Sequence, residues 1–340
     1  MRADNRGFFI LNKELNVVIE RVVRMKNRDK KFCTSIGGQA VIEGVMMRGP
    51  KKYAIAVRKP DGDIIIDQKE NKAPSRRYKI LKKPIIRGVI AFFESMIIGT
   101  KALMFSAEFF DVEGAEDEKP SKLDTWLEKT FGDKLKDYVI YFSIFLSLIF
   151  SIGLFIIVPT FITNFFGITS NSLKTTVEGI FKIGFFLGYL ILISQMKDIK
   201  RVFEYHGAEH KTIHCYEAGC ELTIENIKAQ SRLHPRCGTS FLLIVLVISV
   251  LLFLLIPNGA SLAWYARVVY KLLLLPLVAG MAYEIIKYAG RHNNPLTRAV
   301  SAPGLMFQYL TTREPDDKQI EVALASFNAV KPSDKDEAAW

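Results

Sequence analysis

Residues 240–256 read SFLLIVLVISVLLFLLI. No charge interrupts this run. Inside a soluble core a helix so apolar would need apolar neighbours on every side, whereas a bilayer supplies them directly; about 20 such residues cross its hydrocarbon. Three other stretches share the character: Tyr138–Thr160, Val177–Met196 and Val268–Lys287. The reading is a mainly α, polytopic membrane protein with about four transmembrane helices. A further stretch, Pro84–Phe110, is apolar but carries Arg87, Glu94, Lys101 and Glu108 at sevenfold spacing. That spacing returns to one helical face, so we expect an interfacial or partly inserted helix there rather than another span.

The totals agree with this segregation. Hydrophobic residues make up 49% of the 340, mean hydropathy is +0.16, and the net charge is nevertheless +11. Lys and Arg beside membrane spans hold segments in the cytoplasm and attract anionic lipid. No nucleic-acid motif accompanies the basic surplus, so the expected partner is the lipid bilayer and not nucleic acid. Lys197–Thr239 holds Lys197, Lys200, Arg201, Lys211, Lys228, Arg232 and Arg236, whereas Phe161–Thr176 carries only Lys174 and Pro257–Arg267 only Arg267. The positive-inside rule then makes 197–239 and both termini cytoplasmic in a multi-pass protein of the cell membrane. Trp264 and Tyr265 fall at the outer interface. No signal peptide is evident. There is no internal repeat, and only Glu284 and Lys182 stand out as ionisable groups well inside the spans, which weakens a transporter reading.

Five regions follow. Residues 1–31 form a basic extension, including an amphipathic Asn16–Met25 and an alternative start at Met25. Residues 32–83 form a small cytoplasmic β-rich unit, because YAIAVRK and DIIID flank Pro60-Asp61-Gly62, the chemistry of a hairpin turn. Within it, IGGQAVIEGVMMRGP sets Gly37, Gly38, Gly44 and Gly49 around Glu43 and Arg48. These glycines read either as tight turns or as a weak phosphate cradle, since the P-loop Gly-Lys-Ser/Thr is missing. Residues 84–137 hold the interfacial helix and a polar linker with Trp126 and Phe131. Residues 138–290 form the four-helix region with its His/Cys loop at 197–239. Residues 291–340 are a cytoplasmic tail with a helix over Asp317–Val330, whose apolar side is Ile320, Val322, Leu324 and Phe327.

The chemistry concentrates in EYHGAEHKTIHCYE. His206, His210 and His214 are spaced i, i+4, i+8 and share one face of a helix continuing from the second span. Two imidazoles one turn apart can grip one divalent metal, zinc by its ligand types, and Glu209 between them can take a proton as general base. His206-Gly-Ala-Glu209-His210 also fits the inverted zinc-protease pattern H-x-x-E-H. Catalytic zinc needs a third ligand. Glu284 in the fourth span is one candidate; His234 and Cys237, in His234-Pro-Arg-Cys237 before the third span, are others. The plainer alternatives stay open: His214 hydrogen-bonds at the membrane surface, Glu284 pairs with Lys287 or Arg291, Cys215 and Cys220 are ordinary buried thiols, and Cys237 closes a structural site.

SIGGQAVIEGVMMRGP, EYHGAEHKTIHCYE, HPRCGTSFL, LPLVAGMAYEIIKYAG and APGLMFQYLTTREPDD, in this order, resemble the bacterial YqhQ family across residues 33 to 330. That family is labelled a predicted metal-dependent membrane enzyme. The resemblance implies metal at His206 and His210 with Glu209 between them. The sequence therefore leads us to expect a membrane-embedded zinc hydrolase, peptidase-like, acting on a protein or peptide at the cytoplasmic face. Glu43 or Arg48 would position substrate, and a homo-oligomer stays open. The competing expectation is a non-enzymatic scaffold or regulator with a structural metal or a polar site.

Overall fold

The computed structural model describes residues 32–71, 79–110, 135–168, 170–256, 264–292, 294–334 and 337. The expected basic extension 1–31 and nearly all of the polar linker, 111–134, lie outside the described residues. Four strands open the described chain: β1 (Gly37–Val41), β2 (Gly44–Arg48), β3 (Lys52–Arg58) and β4 (Ile64–Glu70), paired antiparallel in the order β1-β2-β3-β4. The expected hairpin is β3–β4, closed at Gly62 with φ +95° and by the Asp63 N–H donating to Asp61 Oδ1 at 3.1 Å. The glycine-rich segment, read as turns or a cradle, is itself a hairpin, β1–β2. Its turn holds Glu43 at φ +47°.

Helices α1 (Ile86–Ala107), α2 (Leu135–Ile152), α3 (Val158–Phe165), α4 (Asn171–Ile193), α5 (Lys197–Glu217), α6 (Ile224–Lys228), α7 (Gly238–Phe253), α8 (Trp264–Arg291), α9 (Pro295–Thr311) and α10 (Asp317–Val330) follow. A π-turn over Gly153–Ile157 joins α2 to α3. Pro159 just beyond it has no N–H to give the preceding turn, which favours the wider register. Among the described residues four stretches are long and apolar enough to cross a membrane: Ile86–Ala107, Phe145–Phe165, Ser172–Ile193 and Trp264–Arg291. The chain is a membrane protein of mainly helical class with a small antiparallel sheet. The membership of this set differs from expectation. α7, read from the purest run, is a shorter apolar helix, ending at Phe253 just ahead of Pro257. α1 qualifies despite its charges.

The described residues fall into two compact units. One comprises Ala107–Tyr189 and Leu246–Val278. Its interior carries ions that the sequence reading passed over: Glu178 accepts from Lys271 at 2.7 Å, and Lys271 also donates to the Thr160 hydroxyl at 2.6 Å. Glu178 sits one residue inside the expected span. The other unit comprises Met1–Ser106, Leu190–Val245 and Ala279–Trp340. Here Val45, Met47, Ala54 and Ala56 on one face of the sheet pack with Tyr205, Ala208, Ile320 and Phe327 from α5 and α10. Ser326 stitches the layer, its hydroxyl accepting from the Met47 N–H at 3.1 Å and donating to Ala54 O at 3.0 Å. The expected terminal helix is α10, started by a reciprocal capping box between Asp316 and Gln319.

Candidate metal centre

The histidine helix does not continue from the preceding span. α4 stops at Ile193, and Met196 is extended (ψ 138°) before α5 begins. The break lets α5 turn onto the sheet, where its residues from Tyr205 to Tyr216 are largely buried. His206 and His210 meet on one face with ring centroids 4.3 Å apart.

Each of these rings is held by a backbone carbonyl. His206 Nδ1 lies 2.8 Å from Thr311 O, and His210 Nδ1 lies 2.6 Å from Arg232 O. A carbonyl only accepts, so both Nδ1 atoms carry hydrogen and both Nε2 atoms are the ones turned inward. His206 Nε2 is 3.1 Å from Cys237 Sγ. His210 Nε2 is buried without a hydrogen-bond partner. The donor atoms of His206, His210 and Cys237 lie within 4.8 Å of one another. Two imidazole nitrogens and a thiolate sulfur form a donor set suited to zinc. The orphaned Nε2 shows that the residues fit such an ion.

Electrostatics sharpen the picture. Burial opposes charge on His206, yet the Cys237 sulfur beside it raises its pKa to about 9. Burial likewise opposes the thiolate, but His206 and His210 hold Cys237 well below the usual thiol range. The proton between Nε2 and Sγ is the one a metal cation would displace. Glu209, 4% exposed, has one carboxylate oxygen, Oε2, with no hydrogen-bond partner. Burial raises its pKa, while His206 and His210 work the other way.

Glycine and amide packing position these groups. A Cβ on Gly38 of β1 would stand 2.8 Å from the Glu209 carboxyl carbon, so only glycine allows this approach. A Cβ on Gly207 would run into Arg313 O, within the segment whose Thr311 holds His206. Gln308, fully buried in α9, accepts from the His234 N–H and donates to His234 O, both at 2.7 Å. This clamp fixes the loop that delivers Cys237 to the start of α7.

The other expected site residues lie elsewhere. Glu284 is ion-paired with Arg87, Nε to Oε1 2.6 Å, rather than with a metal, Lys287 or Arg291. Arg87 opens α1 against α8, a contact invisible to topology counting. His234 joins His214 and Glu217 in a second group. Glu217 is already taken: it pairs with Arg236 and accepts from the Thr34 N–H at 2.7 Å. His214 Nε2 donates to Leu233 O at 2.8 Å. Burial and then His234 lower the His214 pKa to about 3, and burial and then Arg236 push His234 well below its ordinary value. This group is a neutral-ring polar network. Glu43 is held by Arg201 and by the Tyr205 hydroxyl at 3.2 Å, and Arg48 by Glu94 at 3.1 Å and Asn71 at 3.2 Å. Arg48 lines a cavity of about 440 Å³ together with Gly37, Gly38 and Glu94. No disulfide links the four cysteines; Cys215 is buried as expected, but Cys220 is exposed. Gln308 and Thr311 escaped the sequence reading because their contributions come through amide and carbonyl, while Gly38, read there as a turn or cradle glycine, makes room for the Glu209 carboxyl.

Comparison with known proteins bears on the family alone. The family described as "Protein of unknown function (DUF1385)" matches residues 83–333. The chain is similar to the uncharacterized protein YqhQ of Bacillus subtilis (strain 168), 37% identical over 301 residues that cover 88% of this chain and 92% of that protein. No solved structure matches. Four of the five motifs that carried the resemblance meet around His206, Glu209 and Cys237, and the breadth of both matches gives the conclusion that this chain belongs to the DUF1385 family.

Proposed function

We propose that the protein is a metal-dependent hydrolase of the cell membrane, its site on the cytoplasmic side, with zinc held by His206, His210 and Cys237. The observation that carries this reading is the pair of inward Nε2 atoms converging with Sγ beside an unpartnered Glu209 oxygen. His206, His210 and Cys237 would hold the ion with three protein ligands, the number found in catalytic rather than structural zinc sites. Zinc held there supplies Lewis acidity toward a polarised carbonyl. Glu209 Oε2 accepts a proton from attacking water and returns it to the leaving group. Thr311 O and Arg232 O keep both imidazoles in one tautomer throughout. An amide bond in a peptide is the reaction class that this donor set and base serve.

The test is metal analysis of the purified protein. His206→Ala and His210→Ala should each lose most of the bound zinc; full retention by both would remove the reading. A second reading, a structural metal in a non-enzymatic scaffold, draws on the enclosure of the site, where His210 is 1% exposed. Glu209→Gln separates the two. An enzyme loses its cellular function while keeping zinc, whereas a scaffold keeps both.

A further inference from the structure

α1 satisfies length and composition for a membrane span, yet its surroundings are those of a helix lying flat. The sheet touches one side of it at several points. Arg48 of β2 reaches Glu94 at 3.1 Å, Gln39 of β1 donates to Gly99 O at 3.4 Å, and the Ile42 N–H in the β1–β2 turn donates to the Ser106 hydroxyl at 3.3 Å. At the amino end Gly88 packs against Tyr283 and Gly280 of α8, next to the Arg87–Glu284 pair. The buried positions Gly88, Gly99, Ala102 and Ser106 are all small, so the backbone comes close to its neighbours. The opposite side is apolar and open: Phe93, Met96, Ile97 and Leu103 are 45–54% exposed.

The contacts from Glu94 to Ser106 run along about 18 Å of helix axis at 1.5 Å per residue, more than half of a hydrocarbon core of roughly 30 Å. If α1 crossed the bilayer, it would carry the β1–β2 hairpin into hydrocarbon. An open sheet edge cannot be hydrogen-bonded there. The sheet also bears charged pairs such as Arg58 with Glu321 and Lys69 with Asp67. We propose that α1 lies in the plane of the membrane surface, its Phe93, Met96, Ile97 and Leu103 face set into the lipid and the sheet behind it in water. Exposed Lys82 and Lys83 just before the helix, and exposed Lys101 on its flank, meet anionic headgroups. The sevenfold charges have a different role from the expected one: Arg87 and Glu94 turn inward to protein partners, and the lipid-facing side is the apolar one.

The experiment measures depth. Full-length protein in which Trp126, Trp264 and Trp340 are replaced by Phe receives Phe93→Trp, Ile97→Trp or Leu103→Trp. Each variant is reconstituted into phosphatidylcholine–phosphatidylglycerol vesicles containing lipids brominated at graded acyl positions. An in-plane helix gives all three tryptophans one shallow quenching profile. A spanning helix separates positions 93 and 103 by about 15 Å in depth, and such a gradient overturns the proposal. Absence of quenching at all three positions overturns it equally, since it would place the face in water.

Discussion

Acidification from about pH 7 to about pH 5.5 should destabilise the unit that carries the histidine network, by an amount fixed by unfolded-state titration. His214 and His234 are buried neutral rings with depressed pKa, His214 to about 3. A depressed histidine binds fewer protons folded than unfolded, so stability declines as pH drops below the unfolded value of about 6.5, until the folded ring itself titrates. The folded His214 ring does not protonate in this window, so it contributes a loss of about 1.2 kcal/mol between those two pH values, and His234 adds a loss of the same sign. His206, raised to about 9, works the other way: its folded ring is already protonated while the unfolded one is still taking up its proton, so it offsets part of the loss, mostly near the top of this window. Thermal and urea unfolding in detergent, followed at matched ionic strength, measures the change. His214→Gln, whose amide can still donate to Leu233 O, should reduce the acid loss by about 1.2 kcal/mol. Equal losses in His214→Gln and the parent protein would refute the assignment of this slope to the buried rings.

Three further outcomes follow from the packing. Gly207→Ala forces the 311–315 segment off α5 and should cost about 1–3 kcal/mol, with a parallel fall in zinc content, read by denaturant unfolding and metal analysis. Gln308→Leu strands the buried His234 N–H and carbonyl, each at about 1–3 kcal/mol, and should loosen Cys237 enough to speed its alkylation. Cobalt added to metal-depleted protein should give a thiolate charge-transfer band that Cys237→Ser abolishes while His214→Gln leaves it in place.

Much of this arrangement was legible in one-dimensional patterns. Hydropathy gave away the membrane class, the Pro60-Asp61-Gly62 turn announced β3–β4, and the apolar side of Ile320, Val322, Leu324 and Phe327 announced α10, whose start Asp316 and Gln319 cap. The i, i+4 spacing of His206 and His210 pointed to a shared face, and the structure adds which nitrogen each ring turns inward. What escaped the sequence depends on contacts between distant segments. Glu284 looked like a ligand because topology brought it to the right level, but Arg87, 197 positions earlier, takes both of its oxygens. His234 and Cys237 share one short loop, yet the Gln308 clamp sends them to different groups. The β1–β2 hairpin was hidden by glycines whose role is close approach, at Gly38 toward Glu209 and at Gly44 toward the Ala56 carbonyl.

The carbonyl anchoring of both imidazoles has a consequence for how this family should be read by mutagenesis. Thr311 and Arg232 hold the histidines through main-chain oxygen, an atom that every amino acid supplies. Truncating either side chain leaves the anchor in place, so a side-chain scan passes over the two positions that orient the rings. Changes in chain length are another matter. One residue inserted between Phe307 and Glu314, or between Leu233 and Cys237, would rotate the wrong carbonyl or thiol toward α5. Spacing, more than residue identity, is what such a centre obliges its lineage to keep.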